Sequence, residues 1–264
     1  MISKNKIKLI RFLGTKKYRE QQGLFIAEGD KIVSDLLLAE GWKVRYLFGK
    51  KEWLRKLSPQ EREGVEEITE VSYEELRRIS FMKSPHNVLA VVALPVWKMP
   101  AIPLQGELSL ALENIQDPGN LGTIVRTANW FGIRHIYCSP GSVDIFNPKV
   151  VQASMGAFIH TSVHYTDLVD LAVKATEEGI PVYGTFLDGE SLYSTGLENN
   201  GMVIFGNESK GISSRLEALI PERITIPPWP DSQHTTNSLN ISSSTAIICA
   251  EFRRRNISGE DHSK

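Results

Sequence analysis

The sequence predicts two α/β domains, a small N-terminal one followed by a larger one that is built on a mostly parallel sheet. The chain has 264 residues, 41% hydrophobic and 23% charged, which is typical of globular proteins and sufficient for two domains. Strand-like and helix-like segments alternate along it in two series. A proline-rich stretch, 96–106, separates the series and predicts domains at 1–95 and 107–264.

The first series begins with a helix that Ser3 is expected to cap and that ends at Gly14. It continues with the strands LFIAEG, VRYLFG and VLAVVAL and with the helix KIVSDLLLAEG. A third helix, Ser72 to Ile79, opens with a capping box formed by Ser72 and Glu75. This series therefore predicts a small α/β domain.

The second series predicts five strands, LSLALEN, RHIYCS, PVYGTF, MVIFG and RITIP. Asn147 and Pro148 indicate a helix start, and four further helices are predicted at Leu121 to Phe131, Leu168 to Glu177, Ser213 to Leu219 and Leu239 to Arg254. Ligands of parallel sheets bind at loops that follow the carboxyl ends of strands. The loops after LALEN, VIFG and ITIP are therefore the candidate site.

Positive charge is concentrated at the start of the chain. Residues 1–60 hold 14 Lys and Arg against 6 Asp and Glu, a net charge of +8, whereas residues 61–264 hold 16 against 25, a net charge of −9. The first 20 residues contain one acidic side chain and seven basic ones: Lys4, Lys6, Lys8, Arg11, Lys16, Lys17 and Arg19. Such a cluster is typical of a surface that binds nucleic-acid phosphates, and a solvated basic face is the alternative.

The two cysteines, Cys138 and Cys249, are too few and too far apart for a disulfide framework or a cysteine zinc site, and no metal is expected. The N-terminus lacks the apolar stretch of a signal peptide. The longest apolar run, Val88 to Leu94, is far shorter than the roughly 20 residues that span a bilayer. We therefore expect a soluble, cytoplasmic protein without membrane contact.

The first loop reads ENIQDPGNLGTIVRTA from Glu113 onwards. Its DPG tripeptide predicts a turn, and Asn120 is expected to cap the helix that follows. Arg126, six residues on, is expected to point toward the same cleft as Asn120, with an ion pair to Glu113 or Asp117 as the alternative. The loop lacks the GxGxxG fingerprint, which excludes a nucleotide-dependent dehydrogenase.

The second loop reads GNESKGIS. Gly206 and Gly211 have the spacing of a P-loop, but Ile212 stands where the phosphate-binding lysine belongs, which argues against a nucleotide triphosphatase. Two glycines around an acidic residue, directly after a buried strand, predict close backbone approach to a ligand with Glu208 pointing at it. A helix-capping loop with a solvated Glu208 is the alternative.

The third loop follows ITIP and leads into a helix of small residues. Ser238 and Asn240 stand at the start of this helix, where capping is the ordinary role of such residues. Small side chains let another helix approach closely and predict a subunit interface at Ser243, Ser244 and Ala246.

Together, ENIQDPGNLGTIVRTA, VIFGNESKGIS and ITIP followed by SLNIS resemble, in order, the motifs of the SpoU class of SPOUT RNA methyltransferases. The segment LFIAEGD and the basic first helix are similar to the RNA-binding domain that precedes the catalytic domain in ribosomal RNA 2'-O-ribose members. The resemblance covers nearly the whole chain. The stretch from Pro227 to Asn237 is longer than the short Gly-containing stretch that is common in the family.

This resemblance implies a catalytic domain with a C-terminal trefoil knot, S-adenosylmethionine as cofactor, and a homodimer whose active site takes residues from both subunits. Backbone groups at Gly206, Ile226 and Leu239 would hold the cofactor. The catalytic residues carried over by motif are Asn120, Arg126, Glu208, Ser238 and Asn240. The seven basic residues near the N-terminus would then bind RNA.

Methyl transfer to a ribose 2'-hydroxyl needs the donor in line with the oxygen and the hydroxyl proton removed or its developing charge stabilised. Arg126 stays charged in proteins, so positioning and charge stabilisation is its expected role, and the family is thought to use a substrate phosphate as well. We therefore expect an RNA 2'-O-ribose methyltransferase for ribosomal RNA, with transfer RNA as the other possible substrate. A non-catalytic RNA-binding or ribosome assembly factor is the alternative.

Overall fold

The computed structural model describes residues 1–100, 106–198, 200–229 and 238–260. Contacts divide the chain into two compact units, Met1–Val96 with Asp144–Ile159 and Trp97–Val143 with His160–Lys264. The expected linker includes residues 101–105, which lie outside the described residues, and the predicted domain boundaries stay a prediction. Among the described residues, no helix is both long enough and apolar enough to cross a membrane.

The first unit contains a four-stranded sheet of β1 (Leu24–Glu28), β2 (Val44–Gly49), β3 (Val65–Glu70) and β4 (Val88–Ala93). The strand order is β1-β4-β2-β3, in which β4 is antiparallel to both neighbours and β2 is parallel to β3. Six helices precede or connect the strands: α1 (Lys4–Phe12), α2 (Lys16–Gln22), α3 (Asp30–Leu38), α4 (Lys51–Leu54), α5 (Pro59–Glu63) and α6 (Tyr73–Ile79).

The second half of the chain contains β5 (Leu108–Leu112), β6 (His135–Cys138), β7 (Ser162–Tyr165), β8 (Val182–Ser191), β9 (Gly201–Phe205) and β10 (Glu222–Thr225). Its helices are α7 (Pro118–Trp130), α8 (Pro148–Ser154), α9 (Leu168–Glu177), α10 (Ser214–Glu217) and α11 (Ile241–Glu260). The six strands form one sheet in the order β10-β8-β9-β5-β6-β7, and every pair is parallel. The predicted mostly parallel sheet is confirmed.

Local sequence signals explain several element ends. Ser3 caps α1 by accepting a hydrogen bond from the Lys6 backbone N–H at 3.3 Å, and Ser72 and Glu75 form the predicted capping box of α6. The apolar pattern does not predict β3, because its sequence VEEITE leaves no residue fully buried. It also misses α2, α4 and α5, which are short.

The segment between β6 and β7 completes the first unit. As predicted, Asn147 caps α8, and its side chain accepts a hydrogen bond from the backbone N–H of Lys149. Phe146 and Phe158 flank this helix, and their rings lie 4.6 and 5.8 Å from the ring of Phe25 in β1. The core of the first unit therefore depends on residues from the second half of the sequence.

Arg19 differs from its predicted place in an exposed basic surface. Its side chain is only 2% exposed and forms an ion pair with Asp144, to which Nε donates a hydrogen bond of 2.9 Å. A second guanidinium nitrogen donates to the carbonyl oxygen of Leu13 at 2.8 Å. A buried, fully engaged guanidinium has no free face for a phosphate, so Arg19 is removed from the RNA-binding set.

The centre of the second sheet is apolar. Every residue of β5 and of β9 is buried, and α9 and α10 contribute to one core cluster with these strands. Among the six strands of this second sheet, the sequence patterns miss only β7, a short segment that contains His164. The residues that lead into α11, 230–237, lie outside the described residues, and the trefoil knot stays a prediction.

We predict that Asp144→Ala destabilises the protein by about 3–5 kcal/mol, because it leaves the buried guanidinium of Arg19 without its charge partner. Urea unfolding followed by circular dichroism measures the loss. Glu66→Ala is the matched control: it removes the partner of Arg45 in an exposed ion pair and should cost less than about 1 kcal/mol. Equal losses in the two variants would contradict the structural role of the buried pair.

Candidate active site

A cavity of about 840 Å³ lies in the second unit, where the loops after β9 and β10 meet. Six of the predicted site residues line it: Gly206, Glu208, Ile226, Ser238, Leu239 and Asn240. The structure therefore brings the second and third loops together around one cavity. The first loop reaches this group through the side chain of Asn120.

Asn120 does not cap α7 as predicted. The helix begins at Pro118, and its cap is Asp117, whose Oδ1 accepts a hydrogen bond from the backbone N–H of Asn120 at 2.8 Å. Asp is as good a cap as Asn, and proline is favoured at the first helical position, which explains the earlier start. The side chain of Asn120 is thereby available for contacts outside its own helix.

A run of hydrogen bonds joins the three loops. Asn120 donates from Nδ2 to Oε1 of Glu208 at 3.0 Å, and Asn240 donates from its Nδ2 to Oδ1 of Asn120, also at 3.0 Å. Oδ1 of Asn240 accepts from the backbone N–H of Ser242 at 2.9 Å, so Asn240 caps α11 as predicted. We call this series the amide run, Glu208–Asn120–Asn240.

The two ends of the amide run fix its polarity. A carboxylate only accepts hydrogen bonds and a backbone N–H only donates them. Asn120 must therefore turn its NH2 group to Glu208 and its oxygen to Asn240, and Asn240 must turn its own oxygen to Ser242. Each amide has one permitted orientation, although an isolated asparagine has two. Glu208 thus fixes the amide of Asn120 from one end of the run and also faces the cavity, while the backbone N–H of Ser242 fixes the amide of Asn240 from the other end.

The second loop is a tight turn. Asn207 and Gly211 exchange backbone hydrogen bonds of 3.0 and 2.9 Å, and the side-chain amide of Asn207 donates to the carbonyl oxygen of Asn114 at 2.8 Å. A Cβ on Gly206 would lie 2.2 Å from the carbonyl carbon of Gly211 and 2.3 Å from the nitrogen of Ile212. Only glycine fits at position 206, because the loop's own backbone passes this close to it. The expected approach of this backbone to a ligand stays a prediction.

A bulge in β8 forms a further wall of the cavity, which sequence reasoning missed. The pairing of β8 with β10 shifts between Arg223 and Ile224, and residues 185–188 leave the ladder to line the cavity. Arg223 lies over the ring of Phe186, 3.6 Å from its centroid, and donates a hydrogen bond to Asp188 at 2.6 Å. This bond lowers the pKa of Asp188. The Asp-Gly pair that follows could have indicated the bulge.

Arg126 lies apart from the amide run. It is exposed on α7, and no residue in the described part of the chain forms a hydrogen bond or ion pair with it. The expected partners are engaged elsewhere, since Glu113 accepts hydrogen bonds from Ser213 and Asp117 caps the helix. Each residue of an α-helix turns by about 100° around the axis, so Arg126, six residues after Asn120, points about 120° away from it. The expected shared face is not observed.

The predicted basic surface of the first unit is largely exposed. Exposed basic side chains on α1, α2 and their flanks are Lys4, Lys8, Arg11, Lys16 and Lys17. Lys6 is half-buried and forms an ion pair with Glu67, which lowers the pKa of that carboxyl. Contact of these side chains with RNA stays a prediction.

Both parts of the chain match models of known protein families. Residues 107–250 match the SpoU rRNA Methylase family, and residues 4–90 match the MRM3-like substrate binding domain. The first match spans more than half of the chain and contains every loop of the cavity described above.

Similar proteins span the same two parts. A structure of a putative RNA methyltransferase of the TrmH family from Porphyromonas gingivalis is 41% identical, with a TM-score of 0.85, and covers 97% of this chain and 99% of its own. An AdoMet-bound rRNA methyltransferase from Sinorhizobium meliloti is 26% identical, with a TM-score of 0.80 and coverage of 97% and 96%. The 23S rRNA (guanosine(2553)-2'-O)-methyltransferase RlmP of Bacillus subtilis is 27% identical over 94% of this chain and 96% of its own. This chain belongs to the SpoU rRNA methylase family.

Proposed function

We propose that this protein transfers a methyl group from S-adenosylmethionine to a ribose 2'-hydroxyl of ribosomal RNA. The amide run carries the proposal, because it joins polar groups from all three family motifs at one cavity. Membership of the SpoU rRNA methylase family and the similarity to RlmP favour ribosomal RNA over transfer RNA. A match to a substrate-binding domain in the first unit supports an RNA substrate.

The cavity fits S-adenosylmethionine. Its volume of about 840 Å³ suits a small-molecule site, and the missing Cβ at Gly206 lets the second loop form its tight turn on the cavity wall. Ile226 and Leu239 add apolar contact, and the carboxylate of Glu208 on the wall complements a positive charge. Bound there, the cofactor supplies an electrophilic methyl group on a sulfonium.

The protein's own residues position the acceptor. Glu208 and the backbone N–H of Ser242 hold the amides of Asn120 and Asn240 in one orientation, and Ser238 lines the cavity two residues before Asn240. Dipoles fixed before the reaction stabilise charge that develops at an oxygen without reorganising, which is a large part of enzymatic rate enhancement. We expect this chemistry to need no metal ion, so a chelator should leave the rate unchanged.

We infer that the protein acts as a homodimer and that Arg126 serves the active site of the partner. The exposed face of α7 carries Arg126 and, one turn later, Trp130, which is 84% exposed. Of the small residues expected at a subunit interface on α11, Ser243 is exposed and Ser244 and Ala246 are half-buried. Ala250 extends the exposed face two turns beyond Ser243, and α11 packs against α7. A second copy on these faces would cover Trp130 and bring the guanidinium to its cavity, where it would stabilise the 2'-oxygen.

The first unit is proposed to bind the RNA phosphates. Five exposed basic residues, Lys4, Lys8, Arg11, Lys16 and Lys17, together with Lys6, give it the charge for this role. We place the protein in the cytoplasm, because Cys138 and Cys249 are buried, unpaired thiols, which suits a reducing compartment.

We predict that Gly206→Ala lowers the affinity for S-adenosylmethionine at least about 10-fold, because the added methyl group overlaps the backbone of Gly211 and opens the turn. Isothermal titration calorimetry measures the change. Gly196→Ala is the matched control, since a Cβ there meets no atom within 4 Å. Wild-type affinity in the Gly206 variant would contradict the placement of the cofactor.

We predict that Arg126→Ala lowers the rate of methyl transfer about 100-fold or more while cofactor binding is retained, because the lost cation acts on the transition state. Methylated nucleosides from ribosomal RNA, quantified by mass spectrometry, measure the rate and show whether ribose is the acceptor. The control is Arg134→Ala, which removes another exposed arginine, one that pairs with Glu107. Retention of most turnover by the Arg126 variant would contradict its catalytic role.

The same variant tests the dimer. Mixing Arg126→Ala with Gly206→Ala subunits should recover up to about a quarter of the wild-type activity, because half of randomly mixed dimers would hold one complete site. If Arg126 served its own subunit, no mixed dimer would contain a complete site. Failure to recover activity from subunits that are shown to exchange would therefore contradict the shared site.

A further inference from the structure

The loop between α6 and β4, residues 80–87, exposes an aromatic ring among basic groups. Phe81 is 39% exposed, and Lys83 and His86 in the same loop are exposed as well. Arg11, exposed on α1, places its guanidinium carbon 5.8 Å from the centroid of the Phe81 ring. Packing in the hydrophobic core therefore does not account for an aromatic side chain at this position beside cations.

A buried carboxylate holds the start of the loop. Glu28, at the end of β1, is only 6% exposed, and its two oxygens accept hydrogen bonds from the Ser80 hydroxyl at 2.5 Å and from the Phe81 backbone N–H at 2.8 Å. The hydroxyl of Ser80 in turn accepts from the backbone N–H of Met82 at 3.0 Å. Burial raises the pKa of Glu28, so keeping an acidic group here has a cost.

A second carboxylate holds the end of the loop. Asp30 accepts two hydrogen bonds from Asn87, from the backbone N–H at 3.3 Å and from the side-chain amide at 2.8 Å. The backbone N–H of Lys50 donates to the backbone oxygen of Asn87 at 2.9 Å, and its Nζ donates to the side-chain oxygen of Asn87 at 3.1 Å. Gly29, between the two carboxylates, has φ of +105°, a conformation that L side chains rarely adopt. The tripeptide Glu28-Gly29-Asp30 therefore clamps both ends of the loop.

The ring of Phe81 is also fixed in place. A Cβ on Gly14 would lie 2.6 Å from Cε1 of Phe81, so the ring packs directly on the backbone that follows α1. Arg11 donates from Nε to the carbonyl oxygen of Arg78 at 2.8 Å and from Nη1 to that of Ser80 at 3.4 Å. These contacts give an exposed aromatic ring little freedom to lose when a ligand stacks on it.

We propose that loop 80–87 binds unpaired nucleotides of the RNA substrate, with the ring of Phe81 stacked on a base and with Arg11 and Lys83 at the neighbouring phosphates. This proposal rests on the proposed function, from which it takes RNA as the substrate. Aromatic rings that stack on successive bases, set in a positively charged surface, are how proteins bind single strands. Paired bases leave no face free for such stacking, so the loop selects single-stranded regions of the RNA.

The test compares Phe81→Ala, Phe81→Trp and wild type for binding to two fluorescein-labelled probes. One is a single-stranded RNA of mixed sequence, about 16 nucleotides long, and the other is its duplex with the complementary strand. We expect Phe81→Ala to weaken single-strand binding about 10-fold or more and duplex binding less than about 2-fold, and Phe81→Trp to bind as wild type does. Tyr193→Ala, which removes an exposed ring from the second unit, is the control.

The salt dependence of RNA affinity distinguishes the contribution of base stacking from that of phosphate contacts. Phe81→Ala should leave the slope of log affinity against log salt unchanged, whereas Arg11→Ala should reduce it by about 0.7, the value for one phosphate contact on a single strand. Equal loss on both probes, or no loss on either, in Phe81→Ala would overturn the proposal, as would failure of Phe81→Trp to restore binding. Thermal unfolding of each variant shows that the fold is retained.

The proposed function is tested separately in the same preparations. Methyl transfer to ribosomal RNA by the wild type, with unchanged single-strand binding by Phe81→Ala, contradicts the role of the loop alone. Absence of transfer by the wild type contradicts the proposed function, whichever way the binding result falls.

Discussion

The carboxylate of Glu208 is the constraint on which the site depends. It is the end of the amide run that can only accept hydrogen bonds, and together with the donating backbone N–H of Ser242 at the other end it fixes the orientations of Asn120 and Asn240. Three loops that are far apart in sequence are thereby connected through a single series of polar atoms. An apolar contact could hold the loops together, but it could not specify which amide atom faces the substrate.

The parallel sheet makes this arrangement possible. β9 lies between β5 and β8, and all strands run in the same direction, so the loops that follow β5 and β9 leave the same edge of the sheet as neighbours. The bulge in β8 then opens space at this edge, where Phe186 and Asp188 become cavity walls held by Arg223. Core packing thus fixes the strands, and the strands fix where the polar residues meet.

The sequence predicted what local patterns encode. Strands β5 and β9 were predictable because an apolar run marks a strand that is buried on both faces. The cap at Asp117 was missed because Asp117 and Asn120 are both good caps, and only the helix itself decides between them. The burial of Arg19 was not predictable, since its partner Asp144 is 125 positions away and belongs to a segment that packs on the other half of the chain.

Family resemblance and physical geometry contributed different parts of the site. The motifs indicated Glu208 and Asn240 as site residues, but the role of Glu208 as the group that orients the amide of Asn120 follows only from the observed hydrogen bonds. For Arg126 the motif indicated a site residue, but it did not indicate that the side chain lies away from the amide run.

A double-mutant cycle of Glu208→Ala and Asn120→Ala, measured as single-turnover methyl transfer with saturating S-adenosylmethionine, tests the amide run most directly. If the carboxylate acts through its hydrogen bond to Asn120, removing the second residue costs little once the first is gone, and the double variant should be about as slow as the slower single variant. Losses that multiply, as expected for two independent residues, would contradict the account.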